Sequence, residues 1–222
     1  GNGNGHNTAV GSKSQLNAST GEFNTSLGSD SMGVGVVTGN HNTSLGYNSG
    51  VALTSGSENI LVGSFAGDSL TSGIRNVAIG YAALSAGAEN GLNVAIGYEA
   101  LKVQNTGNAN NVAIGYQAGV AMTTGTNNTI IGGSAGDALT TGTRNVAVGF
   151  GALSTEDTGG RNTAMGYRAL NSLNNDASSY NVAIGYDAGA SVSTGIRNTI
   201  VGGFAGDSLT TGSENVAIGY SA

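Results

Sequence analysis

The sequence predicts an all-β fold, a β-solenoid or β-roll of about thirteen 17-residue coils, on three observations. The hexapeptide NVAIGY is written five times, from Asn76, Asn93, Asn111, Asn181 and Asn215. Aligned on that Asn, the chain carries thirteen anchors from Asn7 to Asn215, and nine of the twelve spacings are 17 residues, two are 18 and one is 19. Four residues after every anchor, from Gly11 to Gly219, stands a Gly. A functional centre is built of unlike parts and is written once, whereas a motif at fixed spacing is a building unit. A unit this short, with one strand and Gly turns, cannot bury its apolar face alone. Stacked units can, each strand pairing with the next at about 4.8 Å. Helical repeats are disfavoured by the Gly content and by a unit too short for two helices.

Positions are counted from the anchor Asn. The anchor suits a turn, because Asn tolerates left-handed geometry, and stacked copies form an amide ladder. Positions +1 (Val, Ile or Thr) and +3 (Val, Leu, Ile or Met) are apolar with period two, so they are expected to form the buried face of a short strand. Position +2, usually Ala, is expected on the opposite face. The Gly at +4 implies a positive φ or a close backbone approach. Position +5 is usually aromatic. The structural columns are represented in mid-chain by Asn76, Asn93 and Asn111, by Ile79, Ile96 and Ile114, by Gly80, Gly97 and Gly115, and by Tyr81, Tyr98 and Tyr116. YEALK and YRALN leave room for a brief helical turn.

Positions +2 and +5 trade volume. Ala78 goes with Tyr81 and Ala113 with Tyr116, whereas Leu61 goes with Ser64, Ile130 with Gly133 and Ile200 with Gly203. The expectation is that both columns line one packed space, between chains if +2 faces away from its own core. The first two units, with Ala9/Ser12 and Ser26/Ser29, do not follow the rule, which implies looser packing at that end.

Residues 1–222 form a single repeat array, expected to be cut from a longer fibre. The variants NILVGSFAGDSL, NTIIGGSAGDAL and NTIVGGFAGDSL begin at Asn59, Asn128 and Asn198. They define four-coil superrepeats at about 59–127 and 128–197, with a partial third at 198–222.

Composition narrows the function. The chain has 40 Gly, no Pro, Cys or Trp, 9% charged residues and 38% apolar ones, which in-register recurrence separates from disorder. A net charge of −6 with seven scattered basic residues argues against nucleic acid. No apolar run has the length of a membrane span and no segment reads as a signal peptide, so no membrane insertion is expected in this segment.

The runs NVAIGYEAL, NVAIGYQAG and NTAMGYRAL, each followed by a polar stretch that in the first two ends in TG, resemble the repeats of trimeric fibrous adhesins. The pattern is similar to the YadA-like head repeats of trimeric autotransporters. It is similar also to the repeat shafts of phage tail fibres that end in an endosialidase-type intramolecular chaperone. The resemblance covers essentially the whole chain, although the unit is longer here than in the bacterial head repeat. It implies a parallel homotrimer of β-rolls with small side chains near the three-fold axis. The implied setting is extracellular, on a virion tail fibre or a bacterial cell surface, with a host glycan or protein as a further partner.

Chemistry is weakly signalled. GDSL at 67–70 and 206–209 is a hydrolase-like string, but the third copy reads GDAL, with Ala138 in place of the Ser, and His6 and His41 precede every copy. A nucleophile needs an oriented base within reach. Asp68, Asp137 and Asp207 recur every fourth unit, too far apart for one metal site within a chain, and no Asp-rich calcium loop occurs. The Tyr column (Tyr47, Tyr81, Tyr98, Tyr116, Tyr167, Tyr186 and Tyr220, with Phe150) suggests a sugar platform, but the volume trade favours packing. Thr106, Thr124, Thr141, Thr158, Thr194 and Thr211 stand just before Gly, as in an ice-binding ladder, but without alternating Thr-x-Thr. The hexapeptide left-handed β-helix of acyltransferases wants three aliphatic-Gly hexads per coil, and only one is visible. The expectation is a non-enzymatic structural and adhesive shaft segment with no cofactor or metal. The head of a bacterial trimeric adhesin and an ice-binding solenoid are the alternatives.

Overall fold

The computed structural model describes residues 5–222. Strands and turns make up the described chain, with no helix. YEALK and YRALN are turns: Ala100 N–H bonds Gly97 O and Lys102 N–H bonds Glu99 O, while Glu99 and Leu101 have φ of 56° and 48°. Alternating left-handed residues cannot propagate a right-handed helix.

The strands fall into two compact units, residues 1–110 and 111–222. The first holds β1 (Thr8–Val10), β2 (Thr25–Leu27), β3 (Thr43–Leu45), β4 (Ile60–Val62), β5 (Val77–Ile79) and β6 (Val94–Ile96). The second holds β7 (Val112–Ile114), β8 (Thr129–Ile131), β9 (Val146–Val148), β10 (Thr163–Met165), β11 (Val182–Ile184), β12 (Thr199–Val201) and β13 (Val216–Ile218). In each unit consecutive strands pair in parallel, column on column, as in Val77↔Val94 and Ala78↔Ala95, or Val112↔Thr129 and Ala113↔Ile130. Each unit is therefore a β-solenoid with one short strand per coil, as the 17-residue period requires.

The strand faces are the reverse of those expected. The +2 residues Ala78, Ala95, Ala113, Ile130 and Ile200 point into the coil and are wholly buried. The +1 and +3 residues, among them Ile79, Ile96 and Ile114, point outward and are only half-buried. The inference from period two was sound, but it could not say which of the two sets faced in. The interior is too narrow for two aliphatic columns from the strand beside the Leu and Ala that enter from the turns. It admits the smaller set.

The volume trade with +5 is likewise misplaced. Position +5 lies outside the wall, and the interior partner of +2 is +8. A Cβ on Gly136 would lie 3.2 Å from Ile130 Cδ1 and 2.8 Å from Leu139 Cδ1, and one on Gly67 would lie 2.8 Å from both Leu61 Cδ2 and Leu70 Cδ1. In the units from Asn76 to Asn181, where +2 is Ala, +8 is either a wholly buried Leu (Leu84, Leu101, Leu153 or Leu170) or Gly (Gly119 or Gly189). Where both are small the adjacent coils fill the space: a Cβ on Gly189 would lie 2.9 Å from Ile200 Cδ1 and 3.2 Å from Leu170 Cδ2. Positions +2, +8 and +11 thus fill one space, and their alternation produces the four-coil period. The second and third coils are polar inside. Ser31 Oγ donates to Ser44 Oγ at 3.0 Å, Ser44 Oγ to Ser49 O at 2.7 Å and Ser49 Oγ to Leu61 O at 3.0 Å.

The anchor Asn side chains build a buried ladder. Asn76 receives its predecessor's amide oxygen, Asn59 Oδ1, on its backbone N–H and on Nδ2, both at 3.0 Å, and its Nδ2 also donates to Asn90 O at 2.8 Å. In the second unit Asn128 bonds Asn111 Oδ1 from its backbone N–H at 2.9 Å. The left-handed residue is not the anchor but the one before it, as in Arg75 (φ 57°) and Arg144 (φ 58°).

Candidate assembly face

Within each unit the strands turn +1 and +3 outward, and the chain bends at −1 and at +4, so −1 and +5 become the edges of the outward face. A parallel sheet repeats these side chains once per coil. The +3 column is apolar throughout, the +1 column is Val, Ile or Thr, and the +5 edge is aromatic except at Ser12, Ser29, Ser64, Gly133 and Gly203. None of these columns carries a charge in any coil.

Gly at +4 makes the second bend. Gly80, Gly97 and Gly115 have φ of 135°, 135° and 138°. A Cβ on Gly115 would stand 2.5 Å from Gly132 O of the next coil, so φ and close stacking both demand Gly.

Beyond that bend the rings stand in rows. In the first unit Tyr47 and Phe65 meet edge-on at 5.4 Å, and Tyr81 and Tyr98 stack at 5.3 Å with planes 12° apart. In the second unit Phe150, Tyr167 and Tyr186 stack at 5.7 and 5.0 Å. In two of the three variant units, where +5 is small, Phe65 and Phe204 stand at +6 and restore the row from the next position, whereas the third has Gly133 and Ser134 and no ring. These rings are not interior packing: Tyr81, Tyr98 and Tyr116 are 47%, 44% and 56% exposed. Where neighbours stack, their faces cover one another and only edges remain outward. A sugar ring needs a bare face, so the stacked stretches make a poor platform for it.

The −1 edge is polar and also paired along the column. His6, Phe23 and His41 stack at 4.9 and 5.0 Å. Arg75 Nε bonds Glu58 Oε2 at 2.8 Å, which holds the Glu58 carboxyl below its ordinary range. Arg197 pairs with Glu214 at 2.8 Å, and Arg161 lies 5.4 Å from the Tyr180 ring centroid.

The GDSL strings form no catalytic constellation. Ser69 is exposed, no hydrogen bond joins it to a His among the described residues, and both His rings lie against Phe23. Burial pushes the Asp68 and Asp137 carboxyls upward in pKa. Among the described residues no group of three or more His, Cys, Asp or Glu could hold a metal ion. The Thr hydroxyls are largely engaged one position before the suspected ladder: Thr54 bonds Thr71 O at 3.0 Å and Thr140 bonds Asp157 O at 3.0 Å.

One group escaped sequence reasoning. Glu156, at +11, is wholly buried, with Oε1 accepting from Gly159 N–H at 2.7 Å and Oε2 from Asn175 N–H at 3.2 Å. Burial raises its pKa, and the neighbouring Asp157 adds to the rise. The block before it uses Asn90 for the same task, accepting from Thr106 N–H at 3.1 Å. The available signal was a carboxylate in a column that holds Leu53, Leu70, Met122 and Leu139, and whose other polar member, Gln104, is uncharged. Compared with protein-family models, curated proteins and solved structures, the chain matches none.

Proposed function

We propose that this chain is a structural and adhesive shaft segment of an extracellular trimeric fibre, of the kind found in phage tail fibres that attach to a host. The observation that carries the reading is the outward strand face, which is only half-buried, has an apolar residue at +3 in every coil and carries rings along much of one edge. Single exposed hydrophobics are ordinary, but an unbroken apolar strip along a sheet is an association surface. The occupant that fits it best is another copy of the same chain, since only a solenoid of equal coil height stays in register over many coils. Parallel association of copies buries the +3 column around a common axis and leaves the turn regions outside as the adhesive surface. Three copies is the number implied by the resemblance to trimeric fibrous adhesins. The test is sedimentation velocity of the chain in dilute buffer. A species of three times the 21.6 kDa chain is expected. A persistent monomer would overturn the fibre reading and return attention to ice binding on the outward face, measured as thermal hysteresis.

A further inference from the structure

The face has two unlike edges, and that asymmetry specifies how copies meet. All its charge sits at −1, including Glu58, Arg75, Arg144, Arg161 and Arg197, while +5 holds Tyr, Phe, Ser or Gly. An edge that is charged on one side only complements the opposite edge of a copy, not its own. We propose that the −1 edge of one chain meets the +5 edge of its neighbour, coil for coil, in a closed ring of three. This rests on the assembly reading above and adds the interface chemistry: guanidinium and carboxylate groups of one chain against the edges and hydroxyls of the next chain's rings.

Width agrees with three. From −1 to +5 are six residue steps, at most about 20 Å across, and three such faces around an axis place each backbone no more than about 6 Å from it. Two packed sheets stand about 10 Å apart, roughly 5 Å each to the midline, so Ile and Val side chains fill that depth. In several coils the partners that would meet at a corner of the ring are chemically matched. Arg75 stands level with a neighbour's Tyr81, Arg161 with Tyr167 and His41 with Tyr47. Glu214, an acceptor, stands level with Tyr220, a donor.

The chain has no Cys, so cross-linking tests the contact directly. Arg144→Cys and Phe150→Cys, placed together in one chain, lie across β9 at about 20 Å, far beyond the 4.4–6.8 Å between Cα atoms that a disulfide spans. Oxidation, or a short bis-maleimide, is expected to give a covalent three-chain species on a denaturing gel, while either variant alone gives none. Asn127→Cys with Gly133→Cys repeats the test one coil earlier without removing a ring. Sedimentation before cross-linking separates this inference from the reading beneath it. A trimer that cross-links at neither coil, or through Arg144→Cys alone, would overturn the edge pairing and leave the trimer standing. A covalent two-chain limit would overturn the ring of three, and a monomer would overturn both.

Discussion

Gly115 closes β7 at a φ of 138°, and a side chain there would strike the carbonyl oxygen of Gly132. Gly115→Val is therefore strained twice, by backbone conformation and by the next coil. A loss of about 2–4 kcal/mol is expected, the sum of strain in a backbone region open essentially to Gly alone and a displaced strand, measured by chemical denaturation. An unchanged midpoint would mean that the coils can separate locally at no cost. Glu156 makes a different residue-scale case. Its folded pKa is raised, so between the unfolded and the folded pKa the folded chain holds a proton that the unfolded chain lacks. Stability from this group therefore rises as pH falls through the folded pKa and levels off below the unfolded one. Asp68 and Asp137 shift in the same direction, so the informative quantity is the difference between wild type and Glu156→Gln. The variant is expected to melt higher at neutral pH, with the gap closing on acidification. A gap independent of pH would show that Glu156 does not carry a buried charge.

The strand is the element where sequence and structure part company, and the reason is geometric. Alternation over VAI is legible, as are parallel stacking, the Gly bend and the Asn ladder, because each depends on one column alone. Which face is inside depends on how much room the rest of the coil leaves, and that is decided by +7, +8 and +11 together. Ala83 and Leu84, or Ala135, Gly136 and Leu139, occupy the interior from the turn side, so the strand contributes only Ala or a single Ile. The co-variation of +2 with +5 follows the four-coil period, and every large +2 also meets Gly at +8 (Leu61 with Gly67, Ile130 with Gly136, Ile200 with Gly206), so the sequence alone could not distinguish the partner from the bystander. A double-mutant cycle can. Ala147→Ile should overpack the coil, costing about 1–3 kcal/mol. Leu153→Gly should relieve part of it by imitating Ile130 with Gly136, with a coupling of about 0.5–3 kcal/mol. Ala147→Ile with Phe150→Gly should instead be additive. Coupling in the second pair and none in the first would restore the space shared by +2 and +5.

At the scale of the whole molecule, the candidate site was legible as columns but not as a surface. Ile79, Ile96 and Ile114 stood out in the sequence as core, and they are core only if other copies cover them. The same residues thus decide between a solitary solenoid and a strand of a fibre. Ile79→Lys with Ile96→Lys places two cations in the middle of the outward face, where a single chain tolerates them in water and an assembled one must bury them unpaired. Sedimentation equilibrium of this variant beside wild type, with circular dichroism to confirm the fold, is the most direct measurement of the central claim. The expected result is a wild-type trimer and a folded variant that dissociates to the 21.6 kDa chain. A wild type that is already monomeric, or a variant that remains trimeric, would contradict it.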